Sequence, residues 1–315
     1  MSNFSAAMTN PAKRHDFVFA FEAIDSNPNG DPDAGNLPRI DPETNQGIIT
    51  DVAIKRKIRN YVAAYEETLL VGDPRKERCK IFVEEGVALN AQIKRSFTAL
   101  NLAGKKIKAV NSEARAWMCD NFFDVRMFGA VMSTGDYNAG QVKGPFQIAF
   151  GRSIDPVFQQ EVTITRVAVT KEEELEKLQN IDENGGKAQE MGRKAIVPYG
   201  LYRVHGSYSP MLGLRKDDND HKATGVTIED LELFWNALLG MWDLDISAAR
   251  GNINIRGLYV FSHTSPLGDA SRQSLLNRVK ISSSNQEVPR SFDDYNVECD
   301  VASLPDGIEF QEIVP

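Results

Sequence analysis

Little in this sequence supports a covalent or metal-built framework. Its 315 residues include three cysteines, Cys79, Cys119 and Cys299, widely spaced and with no C-x-x-C pair. A disulfide framework and a structural zinc site are therefore not expected, and a reducing cytosol fits best. The four histidines lie far apart, so there is no H-E-x-x-H helix. No apolar run approaches the roughly 18 residues of a membrane span, and the longest, Leu233 to Trp242, contains Asn236. Met1 to Asp16 is polar and lacks a hydrophobic h-region, so no secretory signal is expected. Walker loops, G-x-S-x-G elbows and G-x-G-x-x-G turns are missing too. What is present, 42% hydrophobic and 25% charged residues, suits a globular chain with one large core or two modest ones.

The formal charge of −8 argues at first against nucleic acid, but the charge is segregated. Val52 to Lys108 holds 13 Lys and Arg against 6 Asp and Glu, whereas Glu287 to Pro315 holds 8 acidic residues and only Arg290 as a base. A molecule with one basic region can bind phosphate and still be acidic as a whole.

Along the chain, residues 1–15 read as a loose tail. Phe17, Phe19 and Phe21 alternate with Val18, Ala20 and Glu22, the period of a strand. A loop rich in Pro, Gly, Asn and Asp follows over 26–50, and a connection that long is more often functional than idle. Thr50 or Asp51 then caps a helix whose Ile54, Ile58, Tyr61, Val62 and Tyr65 share one face. Lys55 and Arg59 border that face, with Arg56 a little further round. Helix N-termini favour anions, so three cations there fit an anionic ligand as readily as a solvated edge. Lys80 to Val83 reads as a short strand, Gly86 to Leu100 as a helix, and Ser112 to Met132 as a helix with core aromatics. Strands are expected at Phe146 to Phe150, Val162 to Val169, Ala195 to Val204 and Ile255 to Phe261. Between the second and third of these, a polar excursion with Gly185-Gly186 carries Met191, Arg193 and Lys194. Thr227 and Asp230 form a capping-box pattern before a helix whose Leu231, Trp235, Leu238, Leu239 and Trp242 face inward. The tail after Ser282 is acidic and turn-rich. Irregular alternation of strands and helices gives an α+β class.

Two patterns hint at metal. Asp25 to Gly30 matches the opening of an EF-hand loop, but Asn36 stands where a bidentate Glu is needed. Asp31, Asp33 and Asp41 offer carboxylates for metal-assisted phosphodiester cleavage. Turn chemistry is the stronger reading, because Asp-Pro and Asn-Pro start turns through their own side chains. His205 is a lone strand histidine and reads as structural.

The block Asn27 to Val62 (NPNGDPDAGNLPRIDPETNQGIITDVAIKRKIRNYV) resembles the backbone subunit of type I-C CRISPR Cascade complexes, the "Cas seven" family of the RAMP superfamily. Phe123 to Met132, Lys143 to Ser153, Met191 to Gly206 and Asn254 to His263 agree in the same order. The resemblance implies a modified RNA-recognition-motif (ferredoxin-like) palm with an antiparallel sheet and an inserted thumb hairpin. It also implies one domain over 1–315, with palm and helical elaborations over 16–154 and 195–281. The thumb-like insertion would occupy 155–194 and the acidic tail 282–315.

As partners the resemblance implies crRNA, target DNA through the guide heteroduplex, further copies of the chain, and Cas five, Cas eight and small subunits of Cascade. Copies would line up head to tail, and base pairing would read the sequence while protein grips the backbone. On this reading Arg39, Lys55, Arg56, Arg59, Arg152, Met191 and Arg193 contact RNA, with Met191 as an apolar wedge on the thumb. Tyr199, Tyr202 and Tyr208 offer stacking, although two of the three are expected inside the sheet. No catalytic residue, metal or cofactor is expected. The alternatives are a metal-dependent RNA-cleaving subunit of the type III kind using the Asp-rich loop, and a scaffold that binds protein alone.

Overall fold

The computed structural model describes residues 4–102, 111–133, 135, 137–166, 190–217, 222–284 and 288–314, with the side chains of Arg166, Glu190 and Met191 excepted. The N-terminal half runs β1 (His15–Ser26), β2 (Gly30–Asp31), β3 (Leu37–Pro38), β4 (Gln46–Ile49), α1 (Asp51–Thr68), α2 (Pro74–Arg78), α3 (Leu89–Ala99), α4 (Ser112–Asn121), α5 (Phe123–Phe128), β5 (Gly129–Met132) and β6 (Gly140–Lys143). Next come β7 (Phe146–Ile148), β8 (Gly151–Pro156), β9 (Gln160–Arg166), β10 (Glu190–Tyr208), α6 (Pro210–Gly213) and α7 (Ile228–Leu244). The chain closes with β11 (Ile253–His263), α8 (Arg272–Leu276), β12 (Val279–Ser283), β13 (Tyr295–Cys299) and β14 (Ile308–Ile313).

The main sheet has the order β14-β11-β1-β10-β8-β4, with β7 and β9 also paired to β10. Every pair in it is antiparallel. Taken in chain order, β1, α1, β8, β10, α7 and β11 form a βαββαβ unit, and its strands lie in the spatial order 4-1-3-2. That is the ferredoxin-like plan of the RNA-recognition motif.

Alternation on the three central strands sends one set of side chains to each face. Phe17, Phe19, Phe21, Tyr202, Val204, Tyr208, Leu258 and Val260 meet Ile54, Ile58 and Val62 of α1 and Leu231, Trp235 and Leu238 of α7. The opposite face, open to ligand in a simple RNA-recognition motif, is covered here. Val18, Tyr259 and Phe261 pack under Leu275, Leu276 and Val279, and Ala20, Tyr199 and Leu201 pack under Ile281 and Tyr295. A third core, with Phe82, Ile93, Phe97, Met118, Phe122 and Val142, fills a helical lobe built from α3, α4, α5 and the β5–β6 hairpin.

Several expected elements are corrected. Of the loose tail, Ala7, Met8 and Thr9 are buried, and the segment is held to the core because Trp235 donates to the Met8 carbonyl and Tyr208 to that of Pro11. The 26–50 loop holds three short strands and a 3-10 turn, Pro32–Ala34. Lys80 to Val83 makes only a single bridge, Lys80 to Phe122. The Ser112 to Met132 helix breaks at Phe122, which is extended, and ends in a strand after Gly129. The acidic tail contributes β13 and β14, whose hydrophobic side chains close the sheet's second face. Of the Val162 to Val169 strand, residues up to Arg166 form β9; the remainder, like Gly185-Gly186, lies outside the described residues.

Candidate nucleic-acid interface

The site is built where β1 ends. Asn27 to Ile49 is locked by asparagine side chains, which satisfy backbone groups a turn cannot pair for itself. The Asn27 side-chain amide donates to the Asn36 carbonyl (2.8 Å), and Asn29 Oδ1 accepts from both the backbone N–H and the hydroxyl of Thr50. Thr50 Oγ1 in turn accepts from the Ala53 N–H, capping α1. The turn and the helix N-terminus therefore form one unit. Gly47 lets the edge strand β4 lie close against Tyr202 of β10, since a Cβ there would meet the Tyr202 hydroxyl at 2.4 Å.

Arg39 and Arg152 flank this unit. The Arg39 carbonyl accepts from the Ile48 N–H, and Ile48 pairs with Arg152 on β8. Each arginine has a carboxylate partner: Arg39 reaches Asp31 Oδ2 (3.3 Å) and Arg152 reaches Asp41 Oδ2 (2.6 Å). The Arg152 guanidinium holds the Asp41 carboxyl below the usual carboxylate range. Arg152 stays 51% exposed, which leaves donors to spare.

The three α1 cations, expected together, diverge. Lys55 pairs with Asp51 one turn earlier (2.9 Å), and both Lys55 and Arg59 lie over the Phe128 ring. Arg59 Nε donates to Asp124 Oδ2 (2.8 Å) and is 13% exposed. Arg56 donates to the Val83 carbonyl (2.9 Å). Arg56 and Arg59 line a cleft of about 370 Å³ against the helical lobe, where Glu66, Glu67, Glu84 and Glu85 face Lys80 and Arg95. These arginines link palm to lobe.

The arm is a two-stranded extension of the central strand. The last twelve residues of β10, 197–208, run through the sheet, while Glu190 to Ile196 pairs only with β9, from Arg166 to Gln160. Pro156 and Pro198, which lack an N–H, flank the junction, and Gln159 ties it to the Pro38 carbonyl. Arg193 stands 79% exposed, with Glu161 at 3.5 Å. The Met191 side chain lies outside the described residues.

The tyrosines do not offer stacking. Tyr199, Tyr202 and Tyr208 are all buried, two on the helix face and Tyr199 beneath Tyr295. Tyr202 stacks on Phe21 at 5.0 Å instead. His205 accepts from Arg203 Nε (2.9 Å), and burial lowers its pKa to about 4. In the Asp-rich loop, Asp31 caps the 3-10 turn through the Asp33 N–H and Asp41 accepts from the Glu43 N–H. Among the described residues no group of three or more His, Cys, Asp or Glu is arranged to hold a metal ion.

Two charged residues inside apolar runs went unremarked in the sequence. Asp124 accepts from the Phe82 and Val83 N–H groups as well as from Arg59. Arg126, fully buried, forks onto Asp230 (2.9 and 2.6 Å) and donates to the Cys119 and Arg78 carbonyls. The FDVRMF segment carries the signal: two charges in a run otherwise fit only for a core must be paired.

A ferredoxin-like palm with a projecting two-stranded arm and arginines near the arm's base defines an α+β fold of the RNA-recognition-motif plan. Residues 13–300 match the family described as CRISPR-associated protein Cas7, and the chain belongs to that family. A 47-residue segment is 53% identical to the CRISPR-associated protein Cas7 of Haloferax volcanii, a match spanning 15% of this chain and 14% of that relative's length. Among solved structures the chain is similar to one in a CRISPR RNA-guided surveillance complex in a pre-nicking state (TM-score 0.46, 13% identity, 78% of this chain and 75% of that one). It is also similar to a chain of the type III-B Cmr-beta complex bound to cognate target RNA (TM-score 0.39, 11% identity, 79% of this chain and 61% of that one).

Proposed function

We propose that this Cas7-family chain is a non-catalytic, guide-RNA-binding backbone subunit of a type I-C Cascade, a cytoplasmic ribonucleoprotein directed at invading DNA. Its partners are crRNA, target DNA paired to the guide, further copies of itself and the Cas five, Cas eight and small subunits. The carrying observation is that Arg39, Arg152 and the N-terminal turn of α1 with Lys55 lie at the end of the sheet from which the arm with Arg193 projects. Cations on a turn, a strand, a helix start and an arm suit an extended phosphate chain better than a compact ligand. The covered second face supports the same reading, because a backbone grip needs no platform for stacked bases. Asp31 and Asp41 are engaged by Arg39 and Arg152 and by turn N–H groups, which favours binding over cleavage.

The test is the salt dependence of binding to single-stranded RNA. The native chain is expected to lose affinity steeply with salt, and Arg39→Ala with Arg152→Ala to flatten the slope by about 0.7 per phosphate contact removed. Lys55→Ala should flatten it as well. An unchanged slope in both variants would mean that these cations face no phosphate. Magnesium added to bound, labelled RNA should leave it intact; cleavage abolished by Asn at Asp31, Asp33 and Asp41 would establish the nuclease reading instead.

A further inference from the structure

Strands β7 and β8 are one stretch of chain interrupted by a bulge. Arg203 of β10 faces Arg152 of β8 and Gly206 faces Ile148 of β7, so three steps along β10 are matched by four on the facing chain. The Ala149 N–H still reaches the His205 carbonyl (2.8 Å), which leaves Phe150 as the extra residue. Bulges of this kind re-aim a side chain. Gly151 then returns to the sheet so closely that a Cβ on it would meet Val204 Cγ2 at 2.6 Å and Ile49 Cγ2 at 2.7 Å. A slip of register that drew Phe150 inward would set its ring in a gap too small for a methyl group. The ring is therefore held out of the core, 61% exposed, and among the described aromatic residues only Phe158 is exposed as well.

The neighbours of this ring are cationic. Ile48 pairs with Arg152 and Ile49 with Gly151, and the same register, continued one step, sets Thr50, the cap of α1, opposite Phe150. Arg152 thus stands two residues to one side, half in water, and the first turn of α1 with Lys55 stands on the other. The two acids beside these cations are already engaged, Asp41 by Arg152 and Asp51 by Lys55. Val52 is the exposed apolar side chain of that turn, so the ring belongs to no broad apolar patch of the kind a protein partner covers. An exposed ring between two cationic points matches single-stranded nucleic acid, whose flat bases stack on aromatic side chains while basic groups track the phosphates. We infer that Phe150 stacks on one base of the bound RNA, with phosphates on either side of that base held by Arg152 and by the α1 turn. This rests on the subunit reading and adds a base contact to it. One ring per copy is a single ledge, not the platform of several rings that an open sheet face would offer.

The experiment measures binding of the full-length native chain, Phe150→Ala and Phe150→Trp to a single-stranded RNA oligomer and to a stable abasic chain of the same length and charge. Thermal unfolding should be the same for all three proteins. Phe150→Ala should weaken binding to RNA by about fivefold or more, the loss expected for one stacked base. The slope of log affinity against log salt should stay as it is, because no charge is removed. Binding of the alanine variant to the abasic chain should equal that of the native protein. Phe150→Trp should keep the native affinity. Its added indole, read against the native chain with Trp117, Trp235 and Trp242, should be quenched by RNA and not by the abasic chain. An alanine variant that binds RNA as tightly as the native chain overturns the inference, as does one that loses the same factor on both ligands. A tryptophan at this position left unquenched by bound RNA overturns it too. Where the native chain binds RNA with a steep salt dependence and Phe150→Ala changes nothing, the stacking contact alone falls. A native chain that ignores RNA even at low salt removes the subunit reading and the contact together.

Discussion

The cations of α1 and the cation of the arm carry the same formal charge in opposite circumstances. Arg59 is nearly enclosed, aimed at a buried carboxylate that also holds two backbone N–H groups. Arg193 stands almost wholly in water with one loose partner. The first joins two cores, and the second joins nothing the fold depends on. A buried pair is strong because breaking it strands a charge, whereas an exposed pair is worth little. Charge available to a ligand is thus smaller than charge counted along a helix, and at this interface it lies mostly at the arm and its base.

Removing the buried carboxylate breaks this contrast hardest. Asp124→Ala leaves Arg59 without a counter-charge and two N–H groups of the lobe without an acceptor. It should lower the free energy of unfolding by about 3 kcal/mol or more, read from urea denaturation. Arg193→Ala measured alongside should leave unfolding within about 0.5 kcal/mol of native. Equal effects would mean that the arm belongs to the folding core.

Acid separates the regions by a different route. Burial lowers the His15 pKa from 6.5 to about 3, and that of His205 to about 4. Both residues lie on the central strands, and His205 supports Arg203, which clamps the Leu276 and Val279 carbonyls of the covering layer. Below pH 6.5 the unfolded chain binds protons that the folded chain refuses, so stability should fall as pH drops from 6.5 towards 4. His205→Gln, which keeps an acceptor for Arg203 but cannot titrate, should make that fall shallower in thermal unfolding followed against pH. An identical pH profile would place the loss elsewhere.

Much of this was legible in the sequence, for reasons that are local. Alternation in Phe17 to Glu22 and periodicity in Ile54 to Tyr65 are set by which side chains share a face, so β1 and α1 lie where expected. The Thr227 and Asp230 pattern forms a complete capping box. What was not legible is pairing across distance. Asp124 and Arg59 lie 65 residues apart and Arg126 and Asp230 lie 104 apart, and nothing local couples them. The C-terminal tail read as acidic and turn-rich because its eight acidic residues and its turn formers interrupt any regular apolar pattern. Yet Val297, Ile308 and Phe310 suffice to cover the sheet once Tyr259 and Phe261 point the same way. Tyr202 and Tyr208 read as stacking candidates because their type suits bases; the pleat instead turns both towards the helices.

The smallest expected effect bears on the arm alone. Arg193→Ala removes a side chain that supports no core, so folding, helix content and the palm-to-lobe links should be unaffected. If the arm lies along the RNA, this one charge releases about one counterion when a phosphate replaces it. The slope of log affinity against log salt should then become shallower by about 0.7, with no change in sequence preference. Arg193→Lys keeps the charge on a flexible stem and should restore the slope while the fork geometry is lost. Restoration by lysine identifies a phosphate contact. A slope unchanged by alanine would leave the grip to Arg39, Arg152 and Lys55 at the arm's base, and the arm would then serve the geometry of assembly rather than the hold on RNA.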